Sequence, residues 1–159
     1  IRRTAFPSAL AAGKHSPNNL KMHSMSRGLS NCNPGNIRKS KVRYQGEVTP
    51  SRDPAFKQFQ TMAWGYRAMF VLLDSYSRKG YRTIRQMITR YAPPVENYTE
   101  NYIRWVTAWS GIDADESLDT HNRATMIPVI AAMSRVENGL PAVPQDVEAG
   151  WRLFTTQKA

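Results

Sequence analysis

Three glutamates stand where a carboxyl group can do acid–base work: Glu47 in "YQGEVTP", Glu96 in "APPVENYTE" and Glu137 in "SRVENG". Protonating a glycosidic oxygen requires a carboxyl kept protonated by a partly apolar cleft. Glu47 follows the basic run Arg38, Lys39, Lys41 and Arg43, and Tyr44 and Trp64 are close enough in sequence to wall such a cleft. The bland alternative is an exposed ion pair with Arg43 or Arg52, worth about 0–1 kcal/mol. On residue chemistry alone the ion pair is the better-supported reading. Glu96 precedes a helix start, where an acid is electrostatically welcome. Glu137 falls in the last turn of a helix, where the dipole disfavours it. It therefore needs a partner, Arg135 or a buried backbone group, or else a function. Asp53, in "SRDPAF", reads as a turn former.

Other chemistries find less support. His15, His23 and His121 lack the spacing of metal ligands, so no metal site and no cofactor is expected. The single cysteine, Cys32, excludes an internal disulfide framework. Cys32 with His121 as base would make a thiol peptidase, but "NCNP" offers no helix N-terminus to lower the thiol's pKa. The formal net charge of +10 and the pI of about 10.1 favour polyanionic partners: nucleic acid, an anionic lipid surface or an acidic wall polymer. No known nucleic-acid module matches in order or spacing. The longest dense apolar run, "YRAMFVLL", is too short to span a bilayer.

The elements that must position these groups fit one domain of 159 residues. Residues 1–26 read as a Ser/Pro/Asn-rich arm, with a short helix near "FPSALAAG". Ile1 at the start is expected to mark a processed or trimmed product. Residues 27–159 form the expected domain. "NCNPGN" is turn chemistry, and "KVRYQGEVTP" predicts a small hairpin turning at Gln45-Gly46. Helical spacing then predicts a helix through Tyr66, Met69, Phe70, Leu73 and Tyr76 ending at Gly80, and another after a Thr83 cap. Asn97 with Glu100 has the form of a capping box, and that helix ends near Gly111. A further helix ends at Gly139, with Pro128 kinking it or starting a new one. A last helix carries Val147, Trp151 and Phe154. The expected class is mainly α (α+β), a helical domain with a small β-hairpin. A monomer is expected, since no long heptad or edge strand offers an interface.

In colinear order, "RGLSNCNPGNIR", "YQGE", "FKQF", "GYRAMFVLLDSY", "TIRQMITRYAPPVENYTENYIRWV" and "SRVENG" resemble a family of phage murein-degrading proteins. Among them the chain is most similar to the lysins of the enveloped double-stranded RNA bacteriophages, the cystoviruses. The resemblance covers residues 27 to 154 and leaves the arm unmatched. It implies a lysozyme-like, lytic-transglycosylase-like fold and a virion-borne peptidoglycan hydrolase. Such an enzyme opens the cell wall in the periplasm of a Gram-negative host at entry and lysis. The turn-plus-hairpin is also similar to the glucosaminidase branch, whose principal glutamate lies upstream of the turn. Here "MHSMSRGLSNC" holds no acid, which leaves Glu47 as the first choice for general acid, Glu96 second and Glu137 third. The resemblance makes Tyr44, Trp64 and Tyr98 candidate sugar-binding walls, with Asn36 and Asn97 as positioning groups. The implied partner is the glycan chain of N-acetylglucosamine and N-acetylmuramic acid, with a viral nucleocapsid surface as a further one. Two alternatives stand beside this expectation: a murein endopeptidase, and a non-catalytic basic protein coating a nucleocapsid or nucleic acid.

Overall fold

The computed structural model describes residues 25–157. The arm expected over 1–26 therefore lies almost wholly outside the described residues, as does the short helix near "FPSALAAG". Among those described are six helices and one two-stranded antiparallel pairing: α1 (Arg27–Ser30), β1 (Glu47–Val48), β2 (Gln58–Phe59), α2 (Met62–Arg78), α3 (Ile84–Tyr91), α4 (Glu96–Ser110), α5 (Arg123–Asn138) and α6 (Pro144–Thr156). The architecture is mainly helical with a small hairpin, as the periodicity predicts.

Helix α2 is the central element. Tyr66, Met69, Phe70 and Leu73 recur at helical spacing and all are almost fully buried. Phe70 meets α6 edge-on at Trp151, ring centroids 5.1 Å apart, and stacks on Phe154 at 5.9 Å. The two helices approach closely at Gly150, where an added Cβ would lie 2.5 Å from that of Tyr66. At the same N-terminal end of α2, Gly65 lets the Cys32 carbonyl come down onto the helix. Thr83 caps α3 in a reciprocal capping box with Gln86. Gly111 and Gly139 end α4 and α5 in the left-handed conformation.

Three expectations change. The strand at Glu47–Val48 pairs not across Gln45-Gly46 but with Gln58–Phe59, Glu47 opposite Phe59. Residues 49–57 form the connection, and Asp53 organises it by accepting from the Ala55 and Phe56 amides at 2.8 and 3.0 Å. Asn97 and Glu100 make no capping box, because α4 begins at Glu96, with Val95 as a cap that offers no side-chain bond. Pro128 starts no new helix: α5 has already run five residues from Arg123, and it continues through the proline.

Candidate functional site

The turn "NCNPGNIR" is built from asparagine side chains that do the work of backbone. The Asn33 amide donates to the carbonyls of Ile37 and Lys57, both at 2.9 Å, and accepts from the Ile37 N–H at 2.9 Å. Asn36 sits in the left-handed region at φ 49°, which asparagine tolerates better than most residues. The turn is then stitched to the last turn of α5. Asn138 donates to the Pro34 carbonyl at 2.8 Å and accepts from the Ser26 hydroxyl at 2.6 Å, so the cap of α1 is fastened to the same asparagine. Asn36 Nδ2 donates to Glu137 Oε1 at 2.9 Å.

Glu137 is 2% exposed. Around it stand tyrosines from two helices. Tyr91, on α3, donates to the Gly35 carbonyl, and Tyr102, on α4, packs edge-on against Tyr98 with centroids 6.0 Å apart. Burial first, and then the neighbouring Glu137 carboxylate, push the Tyr91 and Tyr102 phenols well above their ordinary value. Outside this vault lies a recess of about 150 Å³ lined by Asn36, Ile37, Arg38, Leu72, Tyr76 and Tyr91. Asn36 belongs to both, lining the recess while bonding the buried carboxyl.

Glu47 has a different environment. Lys57 Nζ, itself 1% exposed on its side chain, donates to both Glu47 oxygens at 3.2 and 3.0 Å and to the Val42 carbonyl at 2.7 Å. The Tyr44 N–H donates to Glu47 Oε1 at 3.0 Å. Both oxygens therefore act as acceptors for an ammonium, and one for an amide as well. The expected partner, Arg43 or Arg52, is replaced by a buried lysine at the end of the connection, just before the opposite strand. Tyr44 packs against Phe59 and under the same ammonium, and burial, then Tyr76 and Glu47, push its phenol up to about 12. Trp64 is half-buried, and Gly46 lies flat on its ring, so close that a Cβ there would fall 2.2 Å from Trp64 Cγ. That face of the indole is already covered.

The predicted residues thus divide into two groups. Glu47, Tyr44 and Trp64 meet at the hairpin, whereas Asn36, Tyr98 and Glu137 meet in the helical interior. Glu96 and Asn97 are exposed in the first turn of α4 and join neither group. The pair Cys32 and His121 is not built as a nucleophile with its base: His121 Nε2 faces Asp74 at 3.1 Å, and burial pushes the Cys32 thiol up. Sequence reasoning missed Lys57 and the roles of Tyr76, Tyr91 and Tyr102. In "FKQF" a period-two reading places Lys57 on the face of Phe59, which was the available signal. The tyrosines carried none beyond their helical spacing. Among the described residues no cluster of His, Cys, Asp and Glu suits a metal ion, and no helix is long and apolar enough to cross a membrane.

No model of a known protein family matches the chain. Among curated proteins it is similar to protein P5 of Pseudoalteromonas phage PM2, with 38% identity over 123 residues, covering 75% of each chain.

Proposed function

The chain belongs to the family of that phage protein, and from this premise we propose that it is a virion-borne, murein-degrading protein that cleaves the glycan strand with Glu137 as general acid. The observation that supports this reading is the Glu137 carboxyl itself. It is buried in a helical interior, bonded to the Asn36 amide, and that asparagine also lines a recess that Tyr76 and Tyr91 help to wall. Burial disfavours the charged form of a carboxyl, and general-acid work on a glycosidic bond calls for a carboxyl in such an environment. The lead among the three glutamates therefore passes from Glu47 to Glu137. It also answers the missing upstream acid: α5, from the far end of the chain, sets a glutamate beside the asparagine turn.

The reaction needs one proton. A glycan seated in the recess draws the Asn36 amide aside, and Glu137 protonates the oxygen between two sugars as the carbon–oxygen bond breaks. The muramic acid's own primary hydroxyl then attacks the anomeric carbon, closes an anhydro ring and returns its proton to Glu137. No second carboxylate is required, which suits a chain whose Glu47 is occupied by Lys57. The exposed Arg38, Lys39, Lys41 and Arg43 hold the anionic polymer against this face. The site of action is the periplasm of a Gram-negative host.

Replacing Glu137 by Gln keeps the shape and the bond from Asn36. It is expected to lower clearing of purified murein by at least about 100-fold, with the fold intact by circular dichroism. Unchanged clearing would remove the assignment. Fragment mass spectrometry reads the bond that breaks: anhydro ends fit this mechanism, and freed peptide termini would favour the endopeptidase. The exposed basic run favours a second reading, a non-catalytic protein coating a nucleocapsid or nucleic acid. That reading predicts steeply salt-dependent RNA binding and no clearing.

A further inference from the structure

The outer face of α4 carries chemistry that the buried carboxyl does not use. Asn101, Arg104, Trp105 and Ala108 recur at i, i+3, i+4 and i+7, so they share one face, and together they line a recess of about 250 Å³. Trp105 is 41% exposed. A single exposed apolar side chain needs no explanation, but this one is built into a platform. Its ring lies 4.7 Å from that of Trp109, inclined at 39°, and the Arg135 guanidinium sits 4.1 Å over the Trp109 ring. Trp109 thereby contacts both a cation and a second indole, and Trp105 rests against a neighbour that is itself packed. Such a surface loses little freedom when a ligand lies on it.

The groups around the platform specify what that ligand is. An indole face takes the C–H face of a pyranose ring, as it takes other flat apolar surfaces. Asn101 offers both a donor and an acceptor, which an acetamido group can use, and the Arg104 guanidinium suits a carboxylate. The platform also belongs to the helix pair that holds the vault. Trp105 follows Tyr102 by three residues on α4, and Arg135 precedes Glu137 by two on α5.

We propose that the Trp105 face is a second glycan subsite, which grips N-acetylated, carboxylate-bearing amino sugars of the murein strand away from the bond being cut. The proposal rests on the murein reading, and its test separates the two. Purified sacculi are cosedimented with the Glu137→Gln protein, and indole fluorescence is titrated with soluble murein glycan fragments. Trp105→Ala is expected to weaken sacculus binding about tenfold and to abolish the fluorescence change, with the thermal midpoint unmoved. Trp105→Phe restores most of the binding. Binding unaffected by Trp105→Ala overturns the proposal. So does a loss that appears with RNA instead of sacculi, or one that appears only as lost self-association in sedimentation. If Trp105-dependent binding persists while the unmodified protein clears no murein, the subsite stands and the catalytic reading falls. If clearing is normal and binding ignores Trp105, the reverse holds.

Discussion

Glu47 and Glu137 are the same side chain in two environments, and the contrast between them is why the proposed general acid is the second and not the first. At the hairpin, Glu47 faces an ammonium that bonds both of its oxygens and a backbone N–H that bonds one. In the helical interior, Glu137 faces an amide and phenols. The first arrangement is an electrostatic rivet that ties two short strands together where they are too short to hold by ladder bonds alone. The second is a buried carboxyl held by an amide and set among phenols, next to a recess. Proximity to a basic run made Glu47 attractive in the sequence, but the cation that occupies it, Lys57, comes from outside that run.

The largest effect is expected from breaking the rivet. Lys57→Met leaves Glu47, whose side chain is 9% exposed, as a buried charge without its partner. That should cost about 3–5 kcal/mol, read as a fall in the denaturant midpoint. Pairing it with Glu47→Gln should recover much of the loss, since removing both charges is far gentler than removing one. The doubly substituted protein, assayed below its midpoint, keeps most of its murein clearing. If clearing instead disappears while the fold is recovered, Glu47 is chemical after all and the contrast inverts.

How far the sequence reveals these two sites follows from the range of the contacts involved. Local signals were legible. Thr83 announced a cap, Gly111 and Gly139 announced helix ends, and the spacing of Tyr66, Met69, Phe70 and Leu73 announced the buried face of α2. Asp53 announced a turn, and its contacts are those of one. Contacts set by tertiary packing were not legible. The strand partner of Glu47 lies eleven to twelve residues on, beyond a tempting Gln45-Gly46 turn, because pairing with Gln58–Phe59 buries Phe59 and a turn at Gly46 would not. Asn36 and Glu137 are 101 residues apart. Glu137's position against the helix dipole hinted that something compensates it, but no periodicity names the partner of a single polar group.

A smaller effect isolates the vault. Asn36→Gly keeps the left-handed backbone, which glycine adopts freely, and deletes only the amide that holds Glu137. The stability loss should be about 1–2 kcal/mol. Clearing should fall by about one to two orders of magnitude, because the carboxyl is no longer aimed. This opposes the hairpin result, where a large stability loss accompanies little loss of function. Equal clearing in Asn36→Gly and the parent protein would show that the amide plays no part in the reaction.

Asp53 supplies the reference that the two glutamates need, being a third shielded carboxylate with a fuller set of donors. Arg27 bonds it through Nε and Nη2 at 2.6 and 2.7 Å, Asn31 adds a side-chain bond at 3.0 Å, and two backbone amides complete it. The Arg27 bonds first, with those of Ala55, Asn31 and Phe56, hold its pKa well below the usual carboxylate range against the opposing effect of burial. A depressed folded-state value means that its contribution is fully present above the unfolded value of about 3.9. The contribution then fades as the pH falls from there towards the folded value. Asp53→Asn retains Oδ1 for the turn amides but sets an NH2 donor where Oδ2 accepts from Arg27 and Asn31. The cost near neutrality should therefore exceed that of an exposed ion pair, at about 1–3 kcal/mol. The clearer signature is in acid: below about pH 4 the parent's stability should decline more steeply than the variant's, by thermal midpoints taken across that range. Parallel acid slopes would mean that Asp53 is held by its hydrogen-bond geometry and not by its charge. The turn carrying Asn36 would then owe its shape to the same uncharged contacts that stitch it to α5.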